Sequence, residues 1–78
     1  GPEAALAMIE PLADRLAGYF YFFGVKGALL KELGRSDEAR LAFDRAISLA
    51  NTPAEAAHIR KHLDRLNRGS DQEATAAQ

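Results

Sequence analysis

The sequence predicts an all-α fold of four stacked helices, and three observations carry that prediction. Apolar residues recur at three- and four-residue spacing nearly throughout, alanine is abundant where β-branched residues are few, and no stretch alternates as a strand would. The 78 residues carry 10 Lys+Arg against 11 Asp+Glu, a net charge of −1, with 47% hydrophobic residues and no cysteine. Without cysteine a disulfide scaffold, a thiolate metal site and a cysteine nucleophile are excluded. The balanced charge argues against stand-alone nucleic-acid binding, which draws its affinity from clustered cations. A domain this small buries only roughly 60–65% of its unfolded surface, a poor foundation for a strained, water-excluding catalytic cavity.

Helices are expected near 2–10, 17–33, 37–50 and 53–67, as one helical domain over 1–68 followed by a disordered tail over 69–78. The first offers Ala5, Leu6, Met8 and Ile9 as an apolar face and ends before Pro11, which removes an amide donor and disfavours helix at Glu10; Leu12 to Leu16 then read as a connector. The second has three stripes at about 100° per residue: Phe20, Phe23, Gly27 and Leu30; Phe22, Val25, Leu29 and Leu33; and Tyr21, Gly24, Ala28 and Lys31. Two apolar stripes require two covers, so this helix is expected at the centre. Gly34 closes it, Ser36 is placed to cap the third helix, and Asp37 and Glu38 oppose that helix's dipole. The third helix buries Ala39, Ala42, Phe43, Ala46 and Ala50. Thr52-Pro53-Ala54-Glu55 is a capping-box start for the fourth, whose apolar positions are Ala56, Ile59, Leu63 and Leu66 and whose end is expected at Arg68-Gly69.

The longest apolar run, Tyr19 to Leu30, is broken by Lys26 and two glycines and falls short of a membrane span. No catalytic pattern and no glycine-rich phosphate loop is present, so the chain is expected to be a non-enzyme without a cofactor. His58 and His62 stand four apart with Glu55 a turn earlier, the spacing of metal ligands. Their neighbours Arg60, Lys61 and Arg65 oppose a cation, so no metal site is expected and the histidines read as part of a solvated polar face. Two surfaces remain as candidate sites. Tyr21, Gly24, Ala28 and Lys31 form a mostly small face on which a tyrosine could seat an incoming helix or peptide. Arg60, Lys61, Arg65 and Arg68 form a basic strip suited to an acidic protein surface or, as the alternative, to DNA.

One spacing pattern suggests a repeat. Phe23-x2-Lys26-Gly27-x2-Leu30, Gly34 at the turn, Ala39-x3-Phe43-x2-Ala46 and Pro53 beyond resemble a single tetratricopeptide repeat, with Lys26 where leucine is usual and Leu30 where tyrosine is usual. The flanking helices then read as half-units, giving a right-handed stack near the lower size limit for such arrays. Taken together, Gly1-Pro2-Glu3-Ala4-Ala5-Leu6-Ala7, Leu16-Ala17-Gly18-Tyr19, Leu29-Leu30-Lys31-Glu32-Leu33-Gly34-Arg35 and the run from Phe43 to Glu55 resemble the C-terminal extension of a group of bacterial extracytoplasmic-function sigma factors. Their tail is a tetratricopeptide-like domain. That resemblance covers residues 1 to about 67 and implies a cytoplasmic, regulatory domain acting through protein contacts with sigma domains, RNA polymerase, a regulator or a second copy. Any DNA contact would belong to parent domains that these residues do not contain. A spacer or dimer-forming element is the remaining alternative.

Overall fold

The structure, a computed structural model, describes residues 1–76, with side chains described through residue 69. Its elements are α1 (Pro2–Ile9), a single 3₁₀ turn (Glu10–Leu12), α2 (Phe20–Glu32), α3 (Ser36–Leu49) and α4 (Pro53–Ala76). There is no strand among the described residues, and no described helix is long and apolar enough to cross a membrane. The chain is therefore an all-α stack of four helices, in which each helix packs on its neighbours in sequence and α2 also touches α4.

Helix α1 begins with Pro2 in its first turn, where the missing N–H costs nothing. It gives way at Pro11, which cannot donate the next i→i−4 bond; Ala13 N–H instead donates to the Glu10 carbonyl at 3.1 Å, tightening the chain into a 3₁₀ turn. Only Leu6 of the expected apolar face is buried, while Met8 is 77% exposed, because α1 meets α2 along a narrow line. Helix α2 starts at Phe20, three residues later than expected. Tyr19 is extended (φ −104°, ψ 113°), and the residues before it form successive turns, with Leu16 N–H on Leu12 O and Tyr19 N–H on Leu16 O. Arg45 pins this connector by donating to the Ala17 carbonyl at 3.3 Å, and its guanidinium lies 5.8 Å from the centre of the Phe23 ring. Lys26, the departure from the repeat pattern, reaches back to Glu10 at 3.5 Å and ties α2 to the 3₁₀ turn.

The α2–α3 turn is a Schellman motif. Gly34 takes φ +74°, its N–H donates to Lys31 O, and Arg35 N–H donates to Leu30 O at 2.9 Å. Ser36 is not a cap: Arg35 occupies the N-cap position and Ser36 is the first helical residue. The opening turn of α3 is held instead by Arg35 donating twice to Glu38.

Between α2 and α3 lies the centre of the core. Leu30, Ala39, Phe43 and Ala46 are almost wholly buried, and Gly27 sits directly against the Phe43 ring. A Cβ at Gly27 would lie 2.6 Å from that ring, so glycine is what admits the phenylalanine. Burying Phe43 contributes about 3 kcal/mol.

Helix α4 begins as its sequence predicts. Glu55 N–H donates to Thr52 Oγ1 at 3.1 Å, and the Glu55 carboxylate accepts from the Asn51 N–H at 2.8 Å, one residue before the usual capping-box partner. Ile59 and Leu66 are buried, with Leu63 packed against the core. The stop expected at Arg68-Gly69 is not observed. Gly69 does not take the positive φ that would close a helix, and the helix continues to Ala76 without a proline to break it. The tail expected over 69–78 otherwise concerns side chains and terminal residues outside those described.

Candidate functional site: the groove between helices α2 and α4

Two pairings fix the register of α2 against α4. Tyr21 lies opposite Glu55, with its hydroxyl donating to Oε2 at 3.5 Å. Gly24 lies opposite Ile59, whose Cδ1 is 3.5 Å from the position a Gly24 Cβ would take. Successive contacts advance along both helices together, so α2 and α4 run in the same direction and leave a furrow between them.

That furrow is an apolar groove of about 240 Å³, lined by Phe20, Tyr21, Gly24 and Ala28 of α2 and by Ile59 and His62 of α4, with Val25 and His58 at its edges. Tyr21 is 56% exposed and Val25 is 50% exposed, whereas Phe20 and Ile59 beneath them are buried. The groove thus has a closed floor and an accessible upper wall. On the other side of Tyr21 and Val25 a second apolar hollow of about 190 Å³ is lined by Ile9, Leu12, Leu16, Tyr19 and Phe22. Tyr21 and Val25 form a ridge between the two. Val25 was expected to be wrapped with the second stripe of α2, but α1 is too short to cover it.

The fate of the predicted small face follows. Of these residues Tyr21, Gly24 and Ala28 line the groove, and Lys31 follows on their side of α2 by spacing alone. They do not form a face on their own: Tyr21 is exposed, but α4 stands beside Gly24 and Ala28 as a second wall, and Ile59 closes on Gly24 without filling the space over Ala28.

His62 departs from the expected solvated polar face. Its ring stacks on Phe43 at 5.2 Å and 16°, with His58 edge-on to it at 5.2 Å. His62 Nδ1 is buried without a hydrogen-bond partner among the described residues. Burial holds its imidazole below the usual value, reinforced by the positive charges of Lys31, His58 and Arg65. Among the described residues no three His, Cys, Asp or Glu side chains are grouped to hold a metal ion.

The four cations of the basic strip are all exposed on α4, but not as one face. At about 100° per residue, Arg65 continues the His58–His62 edge of the groove, whereas Lys61 and Arg68 turn from it toward Asp64. Arg60 lies farther round, on the other side of Asp64 from Arg68. No ion pair holds Lys31, Lys61, Arg65 or Arg68 among the described residues.

Sequence reasoning missed the contribution of α4 to the groove. The signal was present in Glu55, His58, Ile59 and His62, a run at i, i+3, i+4 and i+7 that repeats, 34 or so positions later, the spacing of the α2 face.

No family model matches the chain, and no solved structure matches it. Over 66 residues it is 67% identical to an uncharacterized protein of Rhizobium meliloti (strain 1021), an alignment covering 85% of this chain. The chain spans 16% of that relative's length.

Proposed function

We propose that this chain is a regulatory docking domain, in which the α2–α4 groove receives a helix from another protein or from elsewhere in a longer parent chain. The observation that carries the reading is the half-exposed Tyr21–Val25 ridge beside a groove whose floor is already sealed by Phe20 and Ile59. A tyrosine and a β-branched residue held rigid on a helix, next to a glycine and an alanine that leave room, have the features of an anchor point for an apolar helix.

The parent we propose is an alternative sigma factor of the extracytoplasmic-function type, with the groove holding sigma domains, polymerase or a regulator. The supporting reason is the resemblance carried by residues 1 to about 67. It is consistent with a relative of which this chain covers 16%, leaving room there for further domains.

The test is to fill the groove above its Phe20 and Ile59 floor. Gly24→Leu with Ala28→Leu, placed in the longer parent protein, is expected to preserve the helical circular dichroism of the domain and to abolish its control of transcription. Unchanged transcription from a correctly folded double variant overturns the proposal.

A further inference from the structure

Helix α2 presents one narrow stripe to solvent. Of its 13 residues only Tyr21, Val25 and Glu32 are exposed, and Ala28, partly buried, lies between them. At about 100° per residue these four fall within about 60° of one another. The stripe runs about 16 Å along the helix, with the α4 groove on one flank and the hollow of Leu12, Leu16 and Tyr19 on the other. Its spacings of four, three and four residues read the same from either end. Neither end is firmly held within the molecule. Glu32 has no hydrogen bond or ion pair among the described residues, and the Tyr21 hydroxyl has only its long, exposed bond to Glu55.

We infer that this face binds a second copy of the chain, with the two α2 helices lying antiparallel about a two-fold axis between Val25 and Ala28. The inference rests on the docking reading above and names the helix that enters, α2 of the second copy. Turning the stripe end for end sets Tyr21 against Glu32 of the second copy and Val25 against its Ala28, and the axis makes each pairing twice. Both pairings are complementary: a phenol donates to a carboxylate, and a branched side chain meets a small one. Glu32 of the second copy also arrives at the first turn of α2, which carries no acidic residue and no side-chain cap. A parallel pair would instead set Glu32 against Glu32. The net charge of −1 creates little repulsion between copies. The contact is small beside the roughly 800 Å² per partner of a standard interface, so association is expected to be half complete at roughly 10–100 μM. Leu41, the exposed apolar residue of α3, lies beside Phe23 and Lys26 on the far side of α2 and takes no part.

The experiment is sedimentation equilibrium of the full 78-residue chain and its variants from about 1 μM to about 500 μM, with circular dichroism to check that each keeps its helices. Val25→Glu and Glu32→Lys, both at exposed positions, are expected to weaken the dimer by roughly tenfold or more, and Leu41→Glu to leave it within about twofold of wild type. Because the chain has no cysteine, single-cysteine variants report the direction of the pair. Val25→Cys, beside the axis, is expected to cross-link to itself through a short bismaleimide, and Glu32→Cys is not. A wild type that stays monomeric throughout, a dimer weakened by Leu41→Glu and not by Val25→Glu, or self-cross-linking of Glu32→Cys would each overturn the inference. The docking reading survives the first of these and fails separately, when Gly24→Leu/Ala28→Leu leaves transcription unchanged.

Discussion

Two sides of α2, three residues apart in sequence, are built for different ends. On the Gly27 side the glycine admits Phe43, the ring is wholly buried, and the space is filled to contact distance. On the Gly24 side the glycine meets only the tip of Ile59 at an ordinary 3.5 Å, and the neighbouring tyrosine and valine are half exposed. Both sides use glycine, but for opposite reasons: one lets a side chain of the same molecule come in, and the other leaves room. Stability is concentrated on the first side, and the second holds surface the fold does not need.

Removing the large side chain from each side gives the widest contrast. Phe43→Ala is expected to cost about 3–5 kcal/mol, since it empties the centre of the core beneath Gly27. Tyr21→Ala is expected to cost under about 1 kcal/mol, because its ring is mostly in solvent and its bond to Glu55 is long and exposed. Urea unfolding of the two variants measures both. Equal losses would mean that the ridge belongs to the core.

His62 stands where the two sides meet, stacked on Phe43 from the groove, and it gives a smaller, pH-dependent effect. Its folded pKa lies below the ordinary 6.5, so the unfolded chain binds more protons than the folded one as the solution is acidified. The neutral ring's contribution is complete above about pH 6.5 and is lost as the pH falls through the unfolded value toward the lowered folded one. The groups facing it are Lys31 from α2 and His58 and Arg65 from α4, all of which oppose its protonation; Phe43 from α3 supplies the burial. Thermal unfolding between pH 7.5 and 5.5 should show wild type losing more stability on acidification than His62→Leu. Parallel curves for the two would remove His62 from the boundary.

Much of this fold is legible in the sequence, because its signals are local. Gly34 needs a left-handed φ, Thr52 and Glu55 cap their own helix, and the Gly27, Ala39, Phe43 and Ala46 spacing states where α2 and α3 touch. Three departures come from contacts that local pattern does not encode. Tyr19 is extended and α2 starts late, in a connector that Arg45 pins from α3, and a wheel drawn on α2 alone gives no sign of that bond. Helix α1 contributes one buried leucine where four apolar residues were available, because its length sets how much of α2 it covers. The groove was half legible: its α2 wall follows from spacing, but its α4 wall required knowing that the two helices run side by side in one direction. Treated as a polar face by composition, His58 and His62 belong to that wall.

The most direct test adds the same single methyl group to each side of α2. Gly24→Ala and Gly27→Ala gain the same helix propensity, up to about 1 kcal/mol, so the difference between their midpoints isolates the space on each side. A Cβ at Gly27 meets a buried ring at 2.6 Å and one at Gly24 meets a side-chain tip at 3.5 Å. With overpacking worth about 1–3 kcal/mol and each kcal/mol worth about 4–8 °C in a domain of this size, Gly27→Ala should melt at least about 5 °C below Gly24→Ala, with Gly24→Ala at or above wild type. Matching midpoints, or a loss at Gly24 as large as that at Gly27, would contradict a sealed side and an open one.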